Sequence, residues 1–124
     1  MLLDEATRFL FRRCSTNFAL LSSFFLSLEA LVTAFIVRNV KYTEIDWSTY
    51  MQQTHLFEAG ERNYSRIEGD TGPVVYPAGH IYFYQLLSLV TRRGENIYIG
   101  QCIFSILYLT NLAVVSSIYR TSKV

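Results

Sequence analysis

The run from Asn17 to Val37, NFALLSSFFLSLEALVTAFIV, constrains this chain more than any other stretch. A helix needs roughly 20 mostly apolar residues to cross a bilayer core of about 30 Å, and this run is long enough. A cleaved signal peptide would have a shorter apolar region and a small-residue cleavage site after it. Arg38, Asn39, Val40 and Lys41 follow instead, so a retained signal-anchor helix is expected. Glu29 sits inside it, and an ionised carboxylate at that depth costs a few kcal/mol even on the mildest insertion scales. Two readings stand: Glu29 faces protein or water near a substrate path, or it is tolerated by snorkelling or protonation.

Two further apolar blocks follow. Pro73 to Thr91 holds no Asp, Glu, Lys or Arg, and Pro77 suits the start of a helix, where its missing N–H is no loss. A span over 77–91 is short and requires tilt, local thinning or partial re-entry. Arg92-Arg93-Gly94-Glu95 forms a tight connection, and Asn96 to Tyr119 is again long enough to span. The sequence therefore predicts an all-α membrane protein with three transmembrane helices, near 17–37, 77–91 and 96–119. Arg8, Arg12 and Arg13 then share a side with Arg92 and Arg93, which the positive-inside rule places in the cytosol. Loop 41–76 becomes lumenal or extracellular, while Arg120 and Lys123 would be translocated. The sequon Asn63-Tyr64-Ser65 falls in that loop and agrees with the assignment.

A net charge of +1 leaves no nucleic-acid footprint. Cys14 and Cys102 show neither metal-ligand nor disulfide spacing. Cys14 is either a palmitoylation site or a plain buried or lipid-facing thiol.

Chemistry concentrates between Lys41 and His80, which hold the only Trp, both Pro and both His. Lys41, Arg62 and Arg66 stand there against Glu44, Asp46, Glu58, Glu61, Glu68 and Asp70. Trp47, Tyr50, Met51, Thr54 and Phe57 form one stripe of a 3.6-residue period, which predicts a short helix opened by Asp46. Such a stripe suits an interfacial helix with its aromatics toward the headgroups. Asp46 is either its N-cap or a reactive carboxylate. Glu44, two residues earlier, could raise the pKa of one acid of the pair or share a divalent cation with it. Asp70, between Gly69 and Thr71-Gly72-Pro73, is a turn former or a second functional acid. Tyr76 precedes Pro77 and is held extended. His80 and His55 are each a hydrogen-bonded structural residue or a catalyst.

The ordered motifs Tyr-Thr-Glu-Ile-Asp-Trp (42–47) and Gly-Asp-Thr-Gly-Pro-Val-Val-Tyr-Pro-Ala-Gly (69–79) resemble the first lumenal loop of the dolichyl-phosphate-mannose-dependent α-1,3-mannosyltransferases of N-glycan precursor assembly. The likeness continues through Tyr50-Met51 and reaches Tyr108-Leu109. This family belongs to the GT-C class of multi-span enzymes.

The resemblance implies a multi-pass protein of the endoplasmic reticulum membrane with a lumenal catalytic loop. It implies mannose transfer from dolichyl-phosphate mannose to a five-mannose dolichol-linked oligosaccharide, with inversion and without a cofactor, and it leaves metal dependence open. Asp46 then matches the acid that takes the acceptor proton, with Glu44 beside it and Asp70 positioning the acceptor. Trp47, Tyr76, Pro77 and His80 shape substrate binding, and Asn63 is a glycosylation site. Partners are the two dolichol-linked substrates and membrane lipid. Family members are several times longer, so an N-terminal portion or short isoform is expected, with the phosphate-binding basic residues elsewhere. Two rival readings remain: a non-catalytic three-span protein that binds partners such as the full-length enzyme, and a secreted protein with an uncleaved signal.

Overall fold

The computed structural model describes residues 2–43 and 46–122, with side chains in the first helix described at Glu5 and from Asn17 onward. Glu44, and the side chains of Arg8, Arg12, Arg13 and Cys14, lie outside the described residues. The chain is mostly helical and divides into two units, one of residues 1–40 with 104–124, the other of residues 41–103.

The first unit contains α1 (Leu2–Asn39) and most of the last helix, Ile97–Thr121. Asn17–Asn39 and Ile97–Thr121 are both long and apolar enough to cross a membrane, and the apolar window of neither is buried. Leu20, Phe24, Leu31, Phe35, Ile106 and Ile118 all point outward. A soluble core helix would bury such side chains; a continuous exposed apolar surface needs lipid or a protein partner. Within the unit the two helices run antiparallel. Ala19, Ser22, Ser23 and Leu26 face Ala113, Ser116, Ser117 and Arg120 across a cleft of about 160 Å³. Farther along, Tyr108 donates a 3.0 Å hydrogen bond to Glu29 Oε2. The carboxylate read as costly in the sequence thus has a protein partner, the usual solution for an acid at membrane depth.

The second unit is built on α2 (Asp46–Glu58) and α3 (Ala78–Val90), which pack side by side, and on the start of α4 (Ile97–Thr121). Trp47, Met51 and Leu87 form one cluster, bordered by Tyr42, Tyr84, Ile97 and Ile103. Ile67, Val74 and Ile81 form another, closed by Phe57. Between the helices the chain makes a 3₁₀ turn at Tyr64–Arg66 and a small antiparallel hairpin, β1 (Glu68–Gly69) with β2 (Gly72–Pro73). Glu68 pairs with Pro73 and Gly69 with Gly72.

Of the predicted stripe, Trp47, Met51 and Thr54 are buried in the protein rather than turned outward, while Tyr50 and Phe57 are half-buried. Periodicity located the apolar face correctly but could not say what covers it. Among the described residues only Asn17–Asn39 and Ile97–Thr121 are long and apolar enough to cross a membrane. Block 77–91 forms a helix of 13 residues, about 20 Å long at 1.5 Å per residue, against a core of about 30 Å. The indole Nε1 of Trp47 donates to Gly94 O at 2.9 Å. The start of α2 and the turn after α3 therefore lie side by side. Pro77 does serve as the N-cap of α3, as its chemistry predicts.

Candidate active site

Asp46 is the first residue of α2 and half-buried. A carboxylate there sits in the favourable field of the helix N-terminus. One turn later on the same face comes Tyr50, whose phenol lies 3.2 Å from that of Tyr76. Pro77 ends the extended segment that delivers Tyr76, and α3 then carries His80 and Tyr84 one turn apart.

These four rings close on one another. Tyr76 stacks on His80 with centroids 4.3 Å apart, Tyr50 meets His80 edge-on at 4.6 Å, and Tyr84 lies 4.6 Å from His80 and 4.7 Å from Tyr50. Trp47 meets Tyr84 at 6.1 Å, which joins the cluster to the core.

The environment sets the protonation states. The Tyr50 phenol is pushed well above its ordinary value, first by its hydrogen bond to Tyr76, then by burial, then by the negative charge of Asp46. His80 is pushed below 6.5 by burial, and its Nε2 is buried with no hydrogen-bond partner. Both shifts favour the neutral forms of Tyr50 and His80. The cluster's rings offer flat faces beside the carboxylate of Asp46, a combination suited to an apolar-faced, hydroxyl-edged ligand.

Asp70 lies elsewhere, in the hairpin turn. Gln52 Nε2 donates to Asp70 Oδ2 and Asp70 N donates to Gln52 Oε1, both at 2.8 Å. Thr71 N and Oγ1 donate to Thr49 Oγ1, and Gln53 Nε2 donates to Gly72 O. The hairpin is thus clamped along α2. Gly69 permits the approach, since a Cβ there would stand 2.8 Å from Thr49 O.

Asn63 Oδ1 accepts from Ser65 N at 3.1 Å and from Ser65 Oγ at 2.7 Å, so the exposed sequon caps the 3₁₀ turn. Just before it, Glu61 Oε1 accepts from the backbone N–H groups of Arg62 and Asn63, which lowers its pKa. His55 is half-buried, its Nε2 without a partner, and away from these rings. Among the described residues no three His, Cys, Asp or Glu side chains could hold a metal ion.

The structure thus brings together Asp46, Trp47, Tyr76, Pro77 and His80 from the sequence-derived set, and leaves Asp70 and Asn63 apart. Tyr50 and Tyr84 escaped sequence reasoning as site residues. Their signal was the i, i+4 spacing from Asp46 and His80, readable only once α2 and α3 are known to be neighbours.

The family model described as ALG3 protein matches residues 23–124. A Neurospora crassa protein named Dol-P-Man:Man(5)GlcNAc(2)-PP-Dol alpha-1,3-mannosyltransferase is 45% identical over 77% of this chain and 22% of its own length. A Mus musculus protein of the same name is 46% identical over 77% of this chain and 22% of its own. A Dictyostelium discoideum protein, "Probable Dol-P-Man:Man(5)GlcNAc(2)-PP-Dol alpha-1,3-mannosyltransferase", is 49% identical over 85% of this chain and 24% of its own. The chain therefore spans about a quarter of the length of these curated relatives. No solved structure matches it. The matched region contains the whole second unit, with Asp46 and its ring cluster, and on that match the chain belongs to the ALG3 protein family.

Proposed function

We propose that this chain supplies the first lumenal part of an inverting α-1,3-mannosyltransferase in the endoplasmic reticulum membrane. The donor is dolichyl-phosphate mannose and the acceptor a five-mannose dolichol-linked oligosaccharide. The observation that carries the proposal is the position of Asp46, half-buried at the start of α2 beside four packed rings, inside the segment that matches the family.

In this reading the acceptor hydroxyl oxygen attacks the anomeric carbon as the bond to phosphate breaks. The phosphate leaves with the electron pair, and Asp46 takes the hydroxyl proton. A positioned carboxylate is a usual proton acceptor in such a step. Glu44 is placed by sequence to influence Asp46. Trp47, Tyr76, Pro77 and His80 form the wall against which substrate rests. Asp70 serves by holding the hairpin, since Gln52 already occupies Oδ2.

The topology that fits this reading has two crossings, α1 and α4, with the second unit lumenal between them. Arg8, Arg12, Arg13, Arg120 and Lys123 then share the cytosolic side, and Arg38, Lys41, Arg62, Arg66, Arg92 and Arg93 the lumenal one. The orientation rests on the family match and the sequon rather than on the positive-inside rule. α2 and α3 lie at the lumenal surface with the exposed side chains of Tyr82, Leu86 and Leu89 available to lipid. Asn63 is exposed on the same side and open to glycosylation.

A chimera tests the function. Residues 23–124 replace the matching segment of the Mus musculus relative, and membranes are given labelled dolichyl-phosphate mannose with the lipid-linked acceptor. Transfer of label into a product with one added α-1,3 mannose is expected. A chimera that accumulates normally in the membrane yet transfers no more label than empty membranes contradicts the proposal.

A further inference from the structure

The connection between α3 and α4 ends the helix through left-handed residues that are arginines rather than glycines. Arg92 and Arg93 both take left-handed backbone angles, φ 55° and 60°, followed by Gly94 at 88°. Gly or Asn would occupy the first two positions with little strain, and Arg does not. The turn is nevertheless held firmly. Arg93 N donates to Ser88 O, Gly94 N to Thr91 Oγ1 and Asn96 N to Thr91 O, while Gly94 O accepts the indole of Trp47. Both arginine side chains are exposed, and among the described residues neither has a hydrogen-bond or ion-pair partner, the nearby Glu95 included.

We infer that Arg92 and Arg93 form a binding site for a phosphate carried by a membrane lipid. Two adjacent guanidiniums offer a planar array of donors that suits phosphate oxygens. Their location fits a lipid source, because α4 begins a few residues later and is long and apolar enough to enter the bilayer. Their anchoring fits a functional role: Trp47, which holds Gly94, is the residue next to Asp46. A firmly held turn that carries two adjacent, partnerless guanidiniums limits the ordering an anion must impose on binding. The site does not depend on mannosyl transfer by this chain, only on the geometry of the second unit.

Trp47 is the only Trp, so its emission reports on this turn. The whole chain in a neutral detergent is titrated with a polyisoprenyl phosphate, with phosphatidylglycerol, and with phosphatidylcholine as the zwitterionic control. A saturable emission change with one or both anionic lipids, and none with phosphatidylcholine, is expected. Response to the polyisoprenyl phosphate alone assigns the site to the lipid-linked substrate; response to both assigns it to anionic lipid in general.

The double variant Arg92→Asn, Arg93→Asn keeps residues that favour the left-handed region, so its emission without lipid should match the wild type. Its apparent affinity should fall by about tenfold or more, as expected for losing charge-assisted hydrogen bonds. Replacing both by Lys should restore binding only in part. Should the Asn variant not fold, the wild-type response must still weaken steeply as salt is raised. No response, a response equal to phosphatidylcholine, an unchanged affinity in the folded Asn variant, or insensitivity to salt overturns the inference.

Discussion

Trp47 Nε1 donates a 2.9 Å hydrogen bond to the carbonyl of Gly94, 47 residues along the chain. The contact places the turn after α3 beside the start of α2. The fit around it is tight: a Cβ on Gly94 would run into Met51, and one on Gly100 would stand 2.9 Å from the indole.

Gly94→Ala should therefore be the most damaging of the glycine changes. It adds left-handed strain to a clash, together about 2–4 kcal/mol. Gly60→Ala, at φ 103° in open space, should cost only the backbone part, about 1–2 kcal/mol. Thermal unfolding in detergent, followed by Trp47 emission, distinguishes the two. Equal losses would mean that the Met51 contact does not hold the turn.

The Tyr50–Tyr76 bond should behave as one shared interaction. Tyr50→Phe and Tyr76→Phe should each lose about 0.5–1.5 kcal/mol, and the double variant about as much as either alone. Fully additive losses in the same unfolding measurement would show that the two hydroxyls act separately.

His80 gives the ring cluster a pH dependence. Its folded pKa lies below the ordinary 6.5, so the folded state binds fewer protons than the unfolded state once the pH drops under that value. Stability should hold above pH 6.5, fall as the pH descends from there to the lowered folded pKa, and then fall no further on this account. His80→Gln should flatten that part of the profile of melting temperature against pH. An unchanged slope in the variant would remove His80 as its cause.

Topology was the part of the fold least legible in the sequence. The blocks at 17–37 and 96–119 announced themselves, because a long apolar run has few other uses. Block 77–91 carries no charged residue, and hydropathy alone cannot tell a short packed helix from a thin crossing. Asp46 and Pro77 were readable because each marks a helix start through local chemistry. Tyr50, Tyr84 and the Thr49, Gln52 and Gln53 clamp were not, since their roles depend on partners from 18 to 34 residues away. Asp70 was read as a turn former or a second acid, and its bond to Gln52 favours the turn.

Labelling can check the proposed topology. With Cys14 and Cys102 changed to Ser, Arg93→Cys should react with an impermeant maleimide only when the lumenal face of microsomes is opened, and Asn63 should carry an endoglycosidase-sensitive glycan. Labelling of residue 93 in sealed, right-side-out microsomes would restore a crossing between the two sites.

The most direct test of the functional reading is mannose transfer by the chimera carrying Asp46→Asn. Asn keeps the side-chain volume and serves at a helix start about as well as Asp, so membrane abundance should not change. It removes the proton acceptor, and general-base assistance is typically worth about 10² to 10⁴ in rate. At matched abundance the expected result is a loss of about 10²-fold or more. A variant retaining more than about a tenth of the parent rate, far above what loss of a general base allows, would contradict Asp46 as the base and leave it a helix-start residue.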